Sequence, residues 1–292
     1  MIDTDLVDVP ANFLDSPRLQ YQSRNSSRGH LQYQTQTPRF ATWNLAGNKL
    51  NFGGSVGRIN VFNLNRALEL DIDGHTVASR ATTILSNILE RLQHHGLRVL
   101  QGQTGSGTLR ALEGFWSNIA AGSRATLVAL PNQNLNTYAS IRRMSDLQFG
   151  LTAVCAVTKD FPWYESGFPK ISQPRGFAMQ HLDNLVMKFN SKSSGVNQKL
   201  DAVTLQRLLG DDNKRENTIV FGADVGHPGS GSLAGVPSIA CLVASLDTDL
   251  QNYPGSMRLQ AGGQEVGQLD TCYLCILRLI CSEYRGHASH GS

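Results

Sequence analysis

Tyr138 and Arg142 stand four residues apart, and so do Lys188 and Lys192. On a helix each pair shares one face. Two ammonium groups at that spacing repel mildly, and become favourable when an anion sits between them or a helix carboxyl end lies close. A tyrosine ring can stack on a nucleobase, and a guanidinium can fork onto a phosphate. Joined, the four suit the end of a phosphorylated nucleic acid; taken singly, each belongs equally to a solvated helix face. A second chemistry starts from Asp224. The strand-forming run from Thr218 to Phe221 leads into it, and Gly226, His227 and Pro228 prevent the strand from continuing. The expectation is a buried strand that lifts Asp224 to a sheet edge or cleft, where a metal ion or a phosphate could meet it.

The elements that must position these residues alternate. Ile84, Leu85, Ile88, Leu89 and Leu92 recur at helical spacing, and Gly96 suits the helix end. Leu97–Leu100 reads as a strand, 109–121 as a helix with Leu112, Trp116 and Ile119 inward, and Ala125–Leu130 as a buried strand. Tyr138–Leu147 reads as a helix, Leu151–Val157 as a strand and 178–189 as a long helix. Helices alternating with short apolar strands imply a parallel, Rossmann-like sheet, whose ligands bind beyond the carboxyl ends of the strands. No G-x-G-x-x-G follows a strand, and the glycine-rich run 102–107 reads as a flexible connection. Before residue 60 no helical periodicity occurs. Ser23–Thr37 is rich in Ser, Gln and Asn and reads as mobile, with short strands at Phe40–Leu45 and Arg58–Leu64 in a linker that packs on its neighbours. Polar residues 211–217 mark a boundary, after which 237–247 and 256–260 read as two more strands.

The chain has 292 residues, 40% hydrophobic, enough for two domains, and a formal net charge of only +3. The charge is uneven: between 138 and 200, Arg142, Arg143, Lys159, Lys170, Arg175, Lys188, Lys192 and Lys199 face only Asp146, Asp160, Glu165 and Asp183. Such a surplus suits a phosphate-binding face or a solvated one. The acidic start lacks the pattern of a signal peptide, and no apolar run approaches the ~18 residues of a membrane span. Five cysteines suggest no disulfide framework, and Cys155 and Cys241 read as small core residues in a reducing compartment.

Tyr138-Ala139-Ser140-Ile141-Arg142-Arg143, followed by Asp146, Gly150, Thr152 and Cys155, resembles the MID domain of eukaryotic Argonautes. So does Asn184–Lys192 followed by Gly195-Val196-Asn197. Asp8–Ala11, Leu19–Tyr21 and Trp43–Leu45 are similar to the family's second linker, and Asp224 with its two following strands resembles the opening of its PIWI domain. The resemblance implies an α/β fold: linker 1–65, Rossmann-like MID domain 66–210, the first part of an RNase H-like PIWI domain 211–266, and an atypical tail 267–292. It implies that Tyr138 stacks on the first base of a small guide RNA. Arg142, Lys188 and Lys192 would hold its 5′-phosphate, and Asn132, Gln133 and Asn134 lie in the loop that discriminates the first base. The family usually has Lys where Arg142 stands, and a Gln where Val154 stands; valine cannot donate, so a weaker pocket or a compensating donor is expected.

The same resemblance implies a catalytic set containing Asp224 and Glu265 around Mg²⁺, with two further residues well downstream of anything in this chain. One or two carboxylates are too few to hold a magnesium pair. The expected function is therefore guide binding in RNA silencing without cleavage. Guide RNA, its complementary target and silencing-complex proteins would be the partners, in the cytoplasm or nucleus and away from membranes. The alternatives are a Mg²⁺-dependent slicer endoribonuclease and a Rossmann-like binder of small nucleotides. Asp73-Gly74 precedes the MID region and cannot complete the acid set. Cys272, Cys275, Cys281, His287 and His290 are zinc-ligand types at no common finger spacing, and the tail reads as the altered end of a longer gene product.

Overall fold

The computed structural model describes residues 15–23, 32–38, 45, 47–64, 77–119, 125–157, 176–229 and 235–264, and side chains within these except at 77–80 and 176–179. Asp8–Leu14, Phe40–Asn44, Asp73-Gly74, Glu265 and the cysteine-containing tail lie outside the described residues. The chain divides into two compact units, 1–198 and 199–292.

The first unit opens with β1 (Leu19–Gln22) and β2 (Tyr33–Gln36), paired antiparallel. Part of the stretch expected to be mobile is thus a strand. Two of its side chains are tied down, Gln34 and Gln36 both donating to the Asn48 side-chain oxygen Oδ1. Then follow β3 (Ser55–Leu64), α1 (Val77–His94), β4 (Arg98–Gly107), α2 (Leu109–Ser117), β5 (Ala125–Leu130), α3 (Leu135–Arg143) with a π-helical turn at Met144–Gln148, β6 (Thr152–Val157) and α4 (Gly176–Lys192). β3–β6 form one parallel sheet in the order β4-β3-β5-β6. All six residues of β5 are buried, as befits an inner strand covered on both faces. One core cluster gathers Ile84, Leu85, Ile88 and Leu92 of α1 with Leu185, Val186 and Phe189 of α4; the other gathers Leu112 and Trp116 of α2 with Ile141 of α3. Both clusters include strand residues. The expected short strand at 58–64 is ten residues long and lies inside the sheet. Ile59 and Val61 join the first cluster and Phe62 and Leu64 the second, so the strand serves both faces.

The glycine run expected to be a flexible connection is the second half of β4, paired in parallel with β3. Glycine is needed there for close approach: a Cβ on Gly102 would lie 2.5 Å from the Ile59 carbonyl oxygen, and one on Gly105 2.8 Å from the Phe62 ring. Gly102→Ala is therefore predicted to cost about 1–3 kcal/mol of stability through overpacking. In a flexible connection the same change would stabilise by several tenths of a kcal/mol. Urea unfolding of the two chains separates these outcomes.

The second unit contains β7 (Lys199–Leu200), α5 (Ala202–Leu209), α6 (Asp212–Glu216), β8 (Phe221–Gly226), β9 (Ser238–Ala244) and β10 (Gly255–Gln260). The last three form an antiparallel sheet in the order β10-β9-β8. β8 was expected to be buried. It is instead an edge strand whose residues Phe221–Asp224 are exposed, because its only described strand neighbour is β9.

Candidate functional site

In the parallel sheet the chain runs from β3 to β4 on one side, then crosses back past β3 to β5 and β6, and such a reversal opens a crevice at the strand carboxyl ends. A cavity of about 440 Å³ lies at the carboxyl ends of β5 and β6. Leu130, Cys155, Ala156 and Val157 come from the strands, Gln133 and Asn134 from the following loop, and Leu135 and Tyr138 from α3. α3 starts at this place because Asn134 caps it: its side-chain oxygen accepts from the Thr137 backbone N–H at 3.0 Å. That hydrogen bond occupies the Asn134 carbonyl, whereas Gln133 makes no such cap and is exposed. Asn132 is exposed in the same loop. Tyr138, 46% exposed, presents its ring to the cavity.

Arg142 follows one turn after Tyr138. Its guanidinium donates to the Ala153 carbonyl at 3.1 Å and pairs with Asp146 at 2.5 Å. The side chain is thereby held in place, with donors to spare among its five N–H groups. Lys188 and Lys192 stand exposed on the last turns of α4. Asn190, fully buried between them, anchors that end. Its oxygen accepts from the Gly54 N–H at 2.8 Å, and its amide donates to the Phe52 carbonyl at 3.2 Å and to Asn197 at 3.0 Å.

The three cations meet electrostatically at Cys155. Burial pushes its thiol up to about 11, and Arg142, Lys192 and Lys188 each pull it back down, against Asp146. The Lys192 ammonium is held below the ordinary lysine range, first by partial removal from water and then by the Arg142 charge, with Asp146 and Cys155 opposing. A dianion placed among these groups would reverse that shift. The prediction is that Lys192 titrates below an ordinary lysine alone and moves upward when a nucleoside 5′-monophosphate is added. NMR of isotopically methylated lysines would read this, and an unmoved Lys192 signal would contradict it.

Cys155, expected to be a core residue, packs partly buried against the second cluster and also lines the cavity. Val154, one residue earlier, points to the opposite face of β6 and packs in the core with α1 and α4. Arg142, Lys188 and Lys192 thus lie within electrostatic reach of Cys155, which lines the same cavity as Gln133, Asn134 and Tyr138. Sequence reasoning gave Cys155 and Asn190 no site role of their own, although both fall in the stretches that resemble the MID domain.

Asp224 is exposed near the middle of β8, opposite Cys241. A magnesium ion takes near-octahedral oxygen coordination, with carboxylates supplying the protein's share. Among the described residues no three His, Cys, Asp or Glu side chains come together to hold a metal ion. Asp224 alone does not fit such an ion, so no chemical step is assigned to one.

A family model described as the Piwi domain matches residues 125–287. Protein argonaute 1B of Oryza sativa subsp. japonica is 29% identical over 283 residues, covering 91% of this chain and 22% of the relative. The chain spans roughly a quarter of the length of the curated relatives it matches. Among solved structures, the C-terminal lobe of a budding yeast Argonaute superposes with a TM-score of 0.69 at 22% identity, over 95% of this chain and 55% of that one. Kluyveromyces polysporus Argonaute with a guide RNA gives 0.67 at 21% identity, over 94% and 32%. These two structures share the fold: a Rossmann-like MID unit followed by the opening of an RNase H-like PIWI unit.

Proposed function

This chain belongs to the Piwi-domain family, as an Argonaute, and from that premise we propose that it holds the 5′ end of a small guide RNA in RNA silencing. Tyr138 stacks on the first base, and Arg142, Lys188 and Lys192 hold the 5′-phosphate. One observation carries the reading: three cations from two helices act on the same Cys155 thiol beside the cavity that Tyr138 lines. Gln133, with its side chain uncommitted to the helix cap, is the loop residue best suited to contact the first base. The linker is assigned to 1–65, the MID domain to 66–210 and the PIWI part to 211–266. The complementary target RNA and silencing-complex proteins are the further partners. Among the described residues no helix is long and apolar enough to cross a membrane, and the cytoplasm or nucleus is the compartment that suits this role.

Binding of one short RNA bearing either a 5′-phosphate or a 5′-hydroxyl tests the reading. A preference of at least about tenfold for the phosphate is expected, the worth of one charge-assisted hydrogen bond; equal affinities would overturn it. Guide-directed cleavage is not part of the proposal, because among the described residues Asp224 belongs to no group of three or more His, Cys, Asp or Glu that could hold a metal ion. Mg²⁺-dependent cutting of a paired target that Asp224→Ala abolishes would overturn that part.

A further inference from the structure

α4 carries Lys188 and Lys192, so whatever fixes α4 fixes them. One turn before Lys188 the helix carries a buried carboxylate, Asp183, which accepts from the Arg91 Nε–H at 2.6 Å and contacts His95 Nε2 at 3.0 Å. The opposite ring nitrogen, His95 Nδ1, lies 2.9 Å from the Asn48 carbonyl oxygen. A carbonyl and a carboxylate can only accept, so both contacts are made when both ring nitrogens carry hydrogen. His95 is 1% exposed and Asp183 3%. The chain of contacts joins α4 to the end of α1 and to residue 48, whose side chain in turn takes the β2 glutamines. Removing charges from water is costly, and apolar residues of similar volume would stabilise the core as well. A buried polar network does something apolar packing does poorly: it defines one register and rotation of a helix, since every donor must meet its acceptor.

We propose that Asp183 is a positioning residue for guide binding: held by His95 and Arg91, it sets the rotation and height of α4 and so keeps Lys188 and Lys192 at the 5′-phosphate. This rests on the 5′-phosphate reading given above. It assigns a binding role to side chains that lie a helical turn or more from the phosphate and cannot touch it.

The test uses the full chain and the pair of RNAs differing only in the 5′ group, and it reads the ratio of the two affinities. A purely structural defect lowers the competent fraction and weakens both RNAs by the same factor, leaving the ratio unchanged. A positioning defect lowers the ratio. Asp183→Asn keeps the volume but offers an amide to two donors; its ratio is expected to fall by about tenfold, within the range seen for coupling through packed networks. Arg91→Gln, at the partly exposed rim, is the milder variant and is expected to lower the ratio by about threefold. In a Lys192→Ala background, Asp183→Asn is expected to lower the ratio by clearly less than in wild type, because the two changes share one route. A wild-type ratio near one overturns the 5′-phosphate reading and this inference with it. A wild-type preference that both variants retain in full overturns this inference alone.

Discussion

Replacing Lys192 by Ala is expected to weaken binding of a 5′-phosphorylated RNA by about 10- to 100-fold, while the 5′-hydroxyl form changes by less than about threefold. The size follows from one hydrogen bond to a charged group, worth roughly 1.5–3 kcal/mol, with each 1.4 kcal/mol a factor of ten. The selectivity follows from place. Lys192 lies within electrostatic reach of Arg142, Asp146 and Cys155, while the proposed place of the base is against Tyr138, which lines the cavity. Asn190 fixes the turn that carries Lys192, so the ammonium is delivered to the phosphate without a large ordering cost. The comparison belongs at one fixed salt concentration, because the Debye length of about 10 Å at 0.1 M makes every such contact salt-sensitive. A loss equal for both RNAs would mean that Lys192 contributes only to general attraction for the backbone.

Replacing Asp183 by Ala is expected to cost about 3–5 kcal/mol of stability at neutral pH, since it leaves His95 and Arg91 facing a vacated acceptor in the interior. Folded proteins of this kind have only about 5–15 kcal/mol in hand, so the urea midpoint should move far. The dependence on pH has a definite sign. Burial pushes the Asp183 carboxyl up, but hydrogen bonds and charge from His95 and Arg91 outweigh it and hold the group below its ordinary value of 3.8. A depressed carboxyl contributes its stability above the unfolded value and loses it as pH falls through the folded one. On this ground the part of the gap between wild type and Asp183→Ala that the carboxylate supplies should shrink below about pH 4. A gap under about 1 kcal/mol at neutral pH, or one that fails to shrink below about pH 4, would contradict the network described here.

The elements that align on one pattern were legible from residues alone. Ala125–Leu130 is an unbroken apolar run, and it is the strand buried on both faces. The helical spacing of Ile84, Leu85, Ile88 and Leu92 marks the buried stripe of α1. Elements whose reason for existing lies in a distant neighbour were not. Gly102 and Gly105 look like punctuation until Ile59 and Phe62 press against them. Tyr33–Gln36 has no apolar pattern to announce a strand, and is held by pairing with β1 and by Asn48. Phe221–Asp224 carries the composition of an inner strand but sits at an edge. The proposed binding residues Tyr138, Arg142, Lys188 and Lys192 were named from their spacing and family resemblance. Asp183 could not, since a lone Asp on a helix reads as solvated until His95, eighty-eight residues away, is seen beside it. Cys155 was hidden by its apolar surroundings in sequence, and its place in the cavity lining shows only once β6 ends beside α3.

The account stands on four side chains from α3 and α4 meeting one 5′-terminal nucleotide, three cations at its phosphate and a tyrosine at its base, and a crystal structure of the chain soaked with a nucleoside 5′-monophosphate tests that most directly. The expected result is phosphate oxygens within hydrogen-bonding distance of Lys192 and of Arg142 or Lys188, beside Cys155, with the base against the Tyr138 ring. A phosphate bound elsewhere on the chain, with Lys188 and Lys192 still turned to solvent, would contradict it.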